Sequence, residues 1–182
     1  MKNEKVKVLT YMALMMALAM VGTMVIRIPI PATQGYVHFG DTILILSVLI
    51  LGKRNGAIAG AAGQALADLL GGYAIFVPIT FIAKLLMGLL IGIAIEKMLE
   101  YKKEKQSRYI ATGILFAVLS CGAMVASYYI AEAVMYGSFV VPLVEIPANI
   151  VQFSVGAVLA AVVGAMLAKT PAKQYFKIQK NV

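Results

Sequence analysis

The chain has one cysteine, one histidine and no tryptophan in 182 residues, and only 13% of it is charged. Each scarcity excludes something. A lone Cys121 forms no internal disulfide, and in the middle of an apolar run it reads as a small buried residue. One histidine and one cysteine make no metal-ligand set, and there is no His-Glu-x-x-His. No serine sits in a nucleophile elbow. No glycine-rich run is followed by the lysine–serine or lysine–threonine pair of a nucleotide phosphate cradle. Neither an enzymatic activity nor a metal or cofactor is therefore expected, and no ATP hydrolysis by the chain itself. Charge is short as well: soluble chains carry roughly 25% charged residues, whereas this one is 62% hydrophobic.

What is present is a set of six apolar segments, at about 8–28, 39–51, 56–70, 78–98, 110–131 and 143–168. The fold class this implies is all-α, an integral membrane bundle of six transmembrane helices. It would form a single domain over 1–182, with short tails at about 1–7 and 169–182. The second and third segments are short, and a tight Lys53-Arg54-Asn55 turn is expected between them. At ~1.5 Å per residue they barely cross a ~30 Å hydrocarbon core. The first segment ends at Arg27-Ile28-Pro29 without a small-residue cleavage motif, so it reads as a first span and not as a signal peptide.

The net charge of +8 is explained by where it lies. Fourteen of the sixteen lysines and arginines fall on one side of an even-numbered topology, Arg27 alone on the other, and Lys84 inside a span. The positive-inside rule then puts both termini in the cytoplasm. Anionic lipid headgroups account for the basic excess, and nucleic acid drops out as a partner. The stretch 96–108, with both signs of charge, reads as a helical extension into solvent. The outer segments carry aromatics instead: Tyr36, Tyr73, Phe76, Tyr136 and Phe139. They are either interfacial anchors or a lid.

Lys84 sits about two turns into the fourth segment. An intramembrane lysine costs a few kcal/mol or more to insert and marks a functional site with a partner nearby. Other polar groups converge on the same outer half. Glu145, Asn149 and Gln152, at i, i+4 and i+7, share one helix face. Gln64 and Asp68 are four apart on the third segment. The reading is a pocket that grips a small solute; the plainer alternative is an internal ion pair of Lys84 with Asp68 or Glu145. Asp41 is either part of that pocket or the cap of its own helix. Glu132 reads as solvated at a helix end, Arg27 as an interfacial snorkelling side chain and His38 as a hydrogen-bonded loop residue. The stripe Gly56, Gly60, Gly63 and Ala67 reads as helix packing. The alanine face of the first helix, Ala13 and Ala17, permits close approach of another helix.

Three runs carry a resemblance: Tyr36-x-His38-x-Gly40-Asp41; Gly52-Lys53-Arg54-x-Gly56-Ala57-x-Ala59-Gly60; and Ala65-Leu66-Ala67-Asp68-Leu69-Leu70-Gly71-Gly72-Tyr73. Pro78-x-Thr80-x-x-x-Lys84-x-x-x-Gly88 extends it. Over roughly 8–165 the chain resembles the substrate-binding S components of energy-coupling factor (ECF) vitamin transporters, of the riboflavin-type group. The resemblance implies a subunit of a bacterial plasma membrane that captures a vitamin from outside. It would dock through Ala13 and Ala17 on a transmembrane coupling subunit served by two cytoplasmic ATPases. It also implies a pocket in the outer half, where Lys84, Glu145, Asn149, Gln152, Asp68, Asp41, Tyr36 and Tyr73 are the candidate contacts. Riboflavin is preferred on the group's name; a pyridoxine-like compound and a thiamine pyrimidine stay open. With no tryptophan, ring stacking falls to tyrosine or phenylalanine. A stand-alone passive carrier or channel is the rival reading.

Overall fold

A computed structural model describes residues 2–30, 35–101 and 106–171. Six helices carry the chain: α1 (Lys2–Val25), α2 (Gly40–Leu51), α3 (Lys53–Leu70), α4 (Val77–Tyr101), α5 (Gln106–Tyr136) and α6 (Glu145–Leu167). Between α1 and α2 lies a hairpin of two short strands, β1 (Arg27–Pro29) and β2 (Tyr36–His38). Among the described residues, four helical stretches are long and apolar enough to cross a membrane: Glu4–Val25, Ala74–Tyr101, Gln106–Tyr136 and Val141–Leu167. The 12 residues of α2 reach about 18 Å at ~1.5 Å each. As expected, α2 and α3 are the short members of the bundle.

The first helix, expected to run to residue 28, stops at Val25. Proline at 29 has no N–H to continue a helix and pushes Ile28 into extended geometry. Ile28 pairs with Val37 and Arg27 with His38 in an antiparallel register, and Ile30 N–H donates to the Gly35 carbonyl at 3.0 Å. The expected turn at Lys53–Asn55 is tighter than supposed. Gly52 alone makes it, at φ +82°, and Lys53 already begins α3. The helical extension after α4 holds as far as Tyr101; residues 102–105, and the tail from 172 onward, lie outside the described residues.

Packing explains the glycine stripe. A Cβ at Gly56 would run into the backbone of Ser47 and Val48, one at Gly60 into Leu44, and one at Gly63 into α1 at Met16 and Ala19. Small residues thus let α3 lie directly on α2 and α1. Helix α2 is the hub, touching α1, α3, α4 and α6, and nine of its twelve residues are buried. Helix α4 joins α3 to α5, whereas α5 and α6 touch over a short stretch only. The bundle is apolar outside, and its apolar core encloses a set of polar groups. Leu9, Leu14, Ile114, Val118, Val158 and Val162 are exposed, while Asp41, Gln64, Lys84 and Glu132 have no accessible surface. That arrangement suits hydrocarbon as the solvent.

Candidate functional site: a lidded polar cavity in the bundle

Lys84 is fully buried, and its partner is neither Asp68 nor Glu145. Its Nζ donates to Asp41 Oδ1 at 2.6 Å and lies 3.0 Å from the Met124 sulfur. Asp41 occupies the first turn of α2 but makes no capping hydrogen bond. Its second oxygen accepts from Gln152 Nε2 at 2.9 Å. The Gln152 carbonyl accepts in turn from the backbone N–H of His38 at 3.0 Å, and His38 Nδ1 accepts from Gly40 N–H at 3.0 Å. A continuous chain therefore runs from the cation on α4, through α2 and α6, to the hairpin strand β2. Close approach of α6 makes it possible: a Cβ at Gly156 would sit 2.9 Å from Asp41 Cβ.

Beside this chain lies a cavity of about 30 Å³, room for about one water. Its wall includes Glu145, Asn149 and Gln152 from α6, Asp68 from α3, and Tyr36 and His38 from β2. Five of the eight expected contacts (Glu145, Asn149, Gln152, Asp68 and Tyr36) are thus brought together. Lys84 and Asp41 are not on the wall and join it through Gln152, while Tyr73 stands behind Tyr36 with ring centroids 4.9 Å apart. The i, i+4, i+7 stripe of α6 does face one space, and all three of its side chains are buried.

The hairpin contributes Tyr36 and His38 to the cavity wall. Arg27, read above as a snorkelling side chain, instead pins the hairpin. Its guanidinium donates to the Ala67 carbonyl at 2.9 Å and lies 4.8 Å from the Tyr36 ring and 5.5 Å from the Tyr73 ring. The Tyr36 hydroxyl donates to Asp68. Burial above all, then that bond to Asp68, raises the Tyr36 phenol well above its ordinary range.

Burial, with Lys84 as the next cause, pushes His38 down to about 3 from 6.5. His38 is therefore neutral in the fold, as its acceptor role at Nδ1 requires. A group whose folded value is depressed contributes stability that is complete above its unfolded value of ~6.5 and is lost as pH falls towards 3. At pH 5 the loss from His38 is about 2 kcal/mol. Melting temperatures of the wild type should fall between pH 7 and pH 5, and those of His38→Gln should be flatter across the same window. Equal slopes would remove His38 from the account.

Glu132, Tyr128 and Thr80 also line the wall, and none of them was among the expected contacts. Glu132, expected to be solvated, is fully buried, and neither carboxyl oxygen has a hydrogen-bond partner among the described residues. Tyr128 donates to Thr80 Oγ1 at 3.0 Å. A signal existed: Met124, Tyr128 and Glu132 recur every four residues, on one helix face. Ala13 and Ala17 are exposed on the free side of α1.

A helical bundle with an apolar exterior and buried polar groups is the architecture of an integral membrane protein. The family model for the ECF-type riboflavin transporter S component matches residues 3–169, and the chain belongs to that family. It is a multi-pass membrane transport protein of the substrate-binding type. The thiamine precursor transporter HmpT of Lactococcus lactis subsp. cremoris is 30% identical over 171 residues, covering 93% of each chain. An uncharacterized protein of Pyrococcus woesei is 43% identical over 72 residues, 40% of this chain and 48% of its own length. The solved S component of a bacterial ECF transporter shares the fold, with a TM-score of 0.66 at 22% identity, covering 90% of this chain and 96% of that one.

Proposed function

We propose that the chain is the substrate-capture subunit of an ATP-driven ECF importer in a bacterial plasma membrane, with both termini cytoplasmic. Its substrate is a single-ring vitamin precursor of the thiamine-pyrimidine kind. The observation that carries this reading is the cavity: small, bordered by a pinned hairpin, and walled by three carboxyl side chains with no lysine or arginine among them. Such a wall disfavours anionic solutes and suits a neutral or cationic heterocycle that donates N–H bonds. The near-full-length similarity to a thiamine precursor transporter supports the same choice, although the family name alone favours riboflavin. With about 30 Å³ of free volume the cavity admits a ring only if its walls move apart, and the hairpin is the part of the wall outside the helices.

With no phosphate cradle of its own, the chain takes energy from partners: a transmembrane coupling subunit carrying two cytoplasmic ATPases. The exposed Ala13 and Ala17 face of α1 is the docking surface, and two flat positions one turn apart allow one helix to slide on another. Replacing both with leucine should leave solute affinity unchanged and lower uptake by whole cells at least tenfold. Mass spectrometry of small molecules carried by the purified protein tests the substrate, with a pyrimidine expected and riboflavin the result that restores the family label. Uptake that persists after ATP depletion would instead support a passive carrier.

A further inference from the structure

We infer that the crevice between the hairpin and α6 is a binding site for one acyl chain of a membrane lipid. Its volume is about 140 Å³, larger than that of the polar cavity, and only carbon surface faces it. The hairpin and its flanks supply Ile26, Ile28, Val37 and Phe39, and α6 supplies Val151 and Val155. Ile26, Ile28, Val151 and Val155 are exposed along its rim. The same face of α6 continues through Val158 and Val162, which are exposed too. The crevice is therefore continuous with the apolar exterior that hydrocarbon covers.

Size, chemistry and depth identify the occupant. An apolar cavity of about this volume stays dry and takes a small hydrocarbon instead of water. A helix is ~10 Å across and is too wide to enter. Val151 and Val155 lie six and ten residues beyond Glu145, where α6 begins, or about 9 and 15 Å along the helix at ~1.5 Å per residue. That is the depth of acyl methylenes in one leaflet of a ~30 Å core. His38 and Gln152 line the crevice on one side and the polar cavity on the other, and the His38 N–H donates to Gln152 Oε1 at 3.0 Å. An acyl chain lodged here packs β2 against α6 and backs the wall of the candidate site. The inference needs only the membrane location of the chain and stands whichever solute the polar cavity takes.

The test exploits the absence of tryptophan from the chain. Phe39→Trp puts a single fluorophore in the crevice, and Ile130→Trp puts one on the exposed face of α5. Each full-length variant is reconstituted in phosphatidylcholine vesicles with and without bromine on the acyl chains. Bromolipid should quench both reporters strongly, and aqueous iodide should quench neither. Adding Val155→Phe, which fills the crevice, should cut bromolipid quenching of the Phe39→Trp reporter by roughly half and leave that of the Ile130→Trp reporter unchanged. Val151→Phe, on the same wall, takes its place should Val155→Phe fail to fold. Iodide quenching of the Phe39→Trp reporter, or bromolipid quenching that is equal in the open and the filled crevice, overturns the acyl-chain site. So does relief of that quenching by an added aminopyrimidine, which would give the crevice to the solute.

Discussion

Lys84→Met is expected to lower the stability of the folded protein by about 3–5 kcal/mol, the range for removing one member of a buried ion pair. Both side chains of the pair have no accessible surface, so water cannot replace the lost ammonium. Among the described residues, Asp41 would keep the Gln152 amide as its side-chain donor. The double variant Lys84→Met with Asp41→Leu should recover most of that loss, because apolar groups of similar size often replace a buried pair at little cost. Detergent-induced or thermal unfolding of the purified variants reads both effects. A single variant within 1 kcal/mol of wild type would mean that the pair does not carry the charge balance of the core. Since Lys84 lies off the cavity wall, its loss should act on affinity through Asp41, Gln152 and the hairpin.

Gly56→Val should be among the most damaging single substitutions on the helix surfaces. Its Cβ would overlap the Ser47 carbonyl and the Val48 backbone, which have no rotamer by which to yield. Overpacking of a filled interior costs about 1–3 kcal/mol and more where backbone must move. Loss of folded protein from the membrane fraction is therefore expected. Gly122→Ala provides the contrast. Nothing lies within 4 Å of a Cβ there, and exchanging glycine for alanine in a helix gains up to ~1 kcal/mol. If Gly56→Val and Gly122→Ala behaved alike, direct contact of α3 with α2 would be excluded.

The sequence was a good guide wherever a periodic or energetic signal was local. Segment lengths gave six helices with a short second and third. The three polar positions of α6, spaced for one face, do share one cavity. The depth of Lys84 demanded a partner, and there is one. What stayed hidden was the choice of partner. Asp41, Asp68, Glu132 and Glu145 all lay in the outer half, and only the crossing of α2 with α4 decides in favour of Asp41. Glu132 was misjudged because a position near a helix end says nothing about whether a neighbouring helix covers it. The hairpin was missed because three-residue strands are too short to show alternation. Pro29 marked the end of the first helix, but the anchoring of Arg27 on the Ala67 carbonyl is a long-range contact with no local pattern.

The ion pair also bears on how the chain enters the membrane. Asp41 and Lys84 are 43 residues apart, so α2 is synthesised well before the cation that neutralises it. Released alone into lipid, α2 would be a twelve-residue segment carrying an uncompensated acid at one end, too short to span and costly to bury. Insertion of α2 together with α4 avoids that cost, because the acid then enters the bilayer already paired.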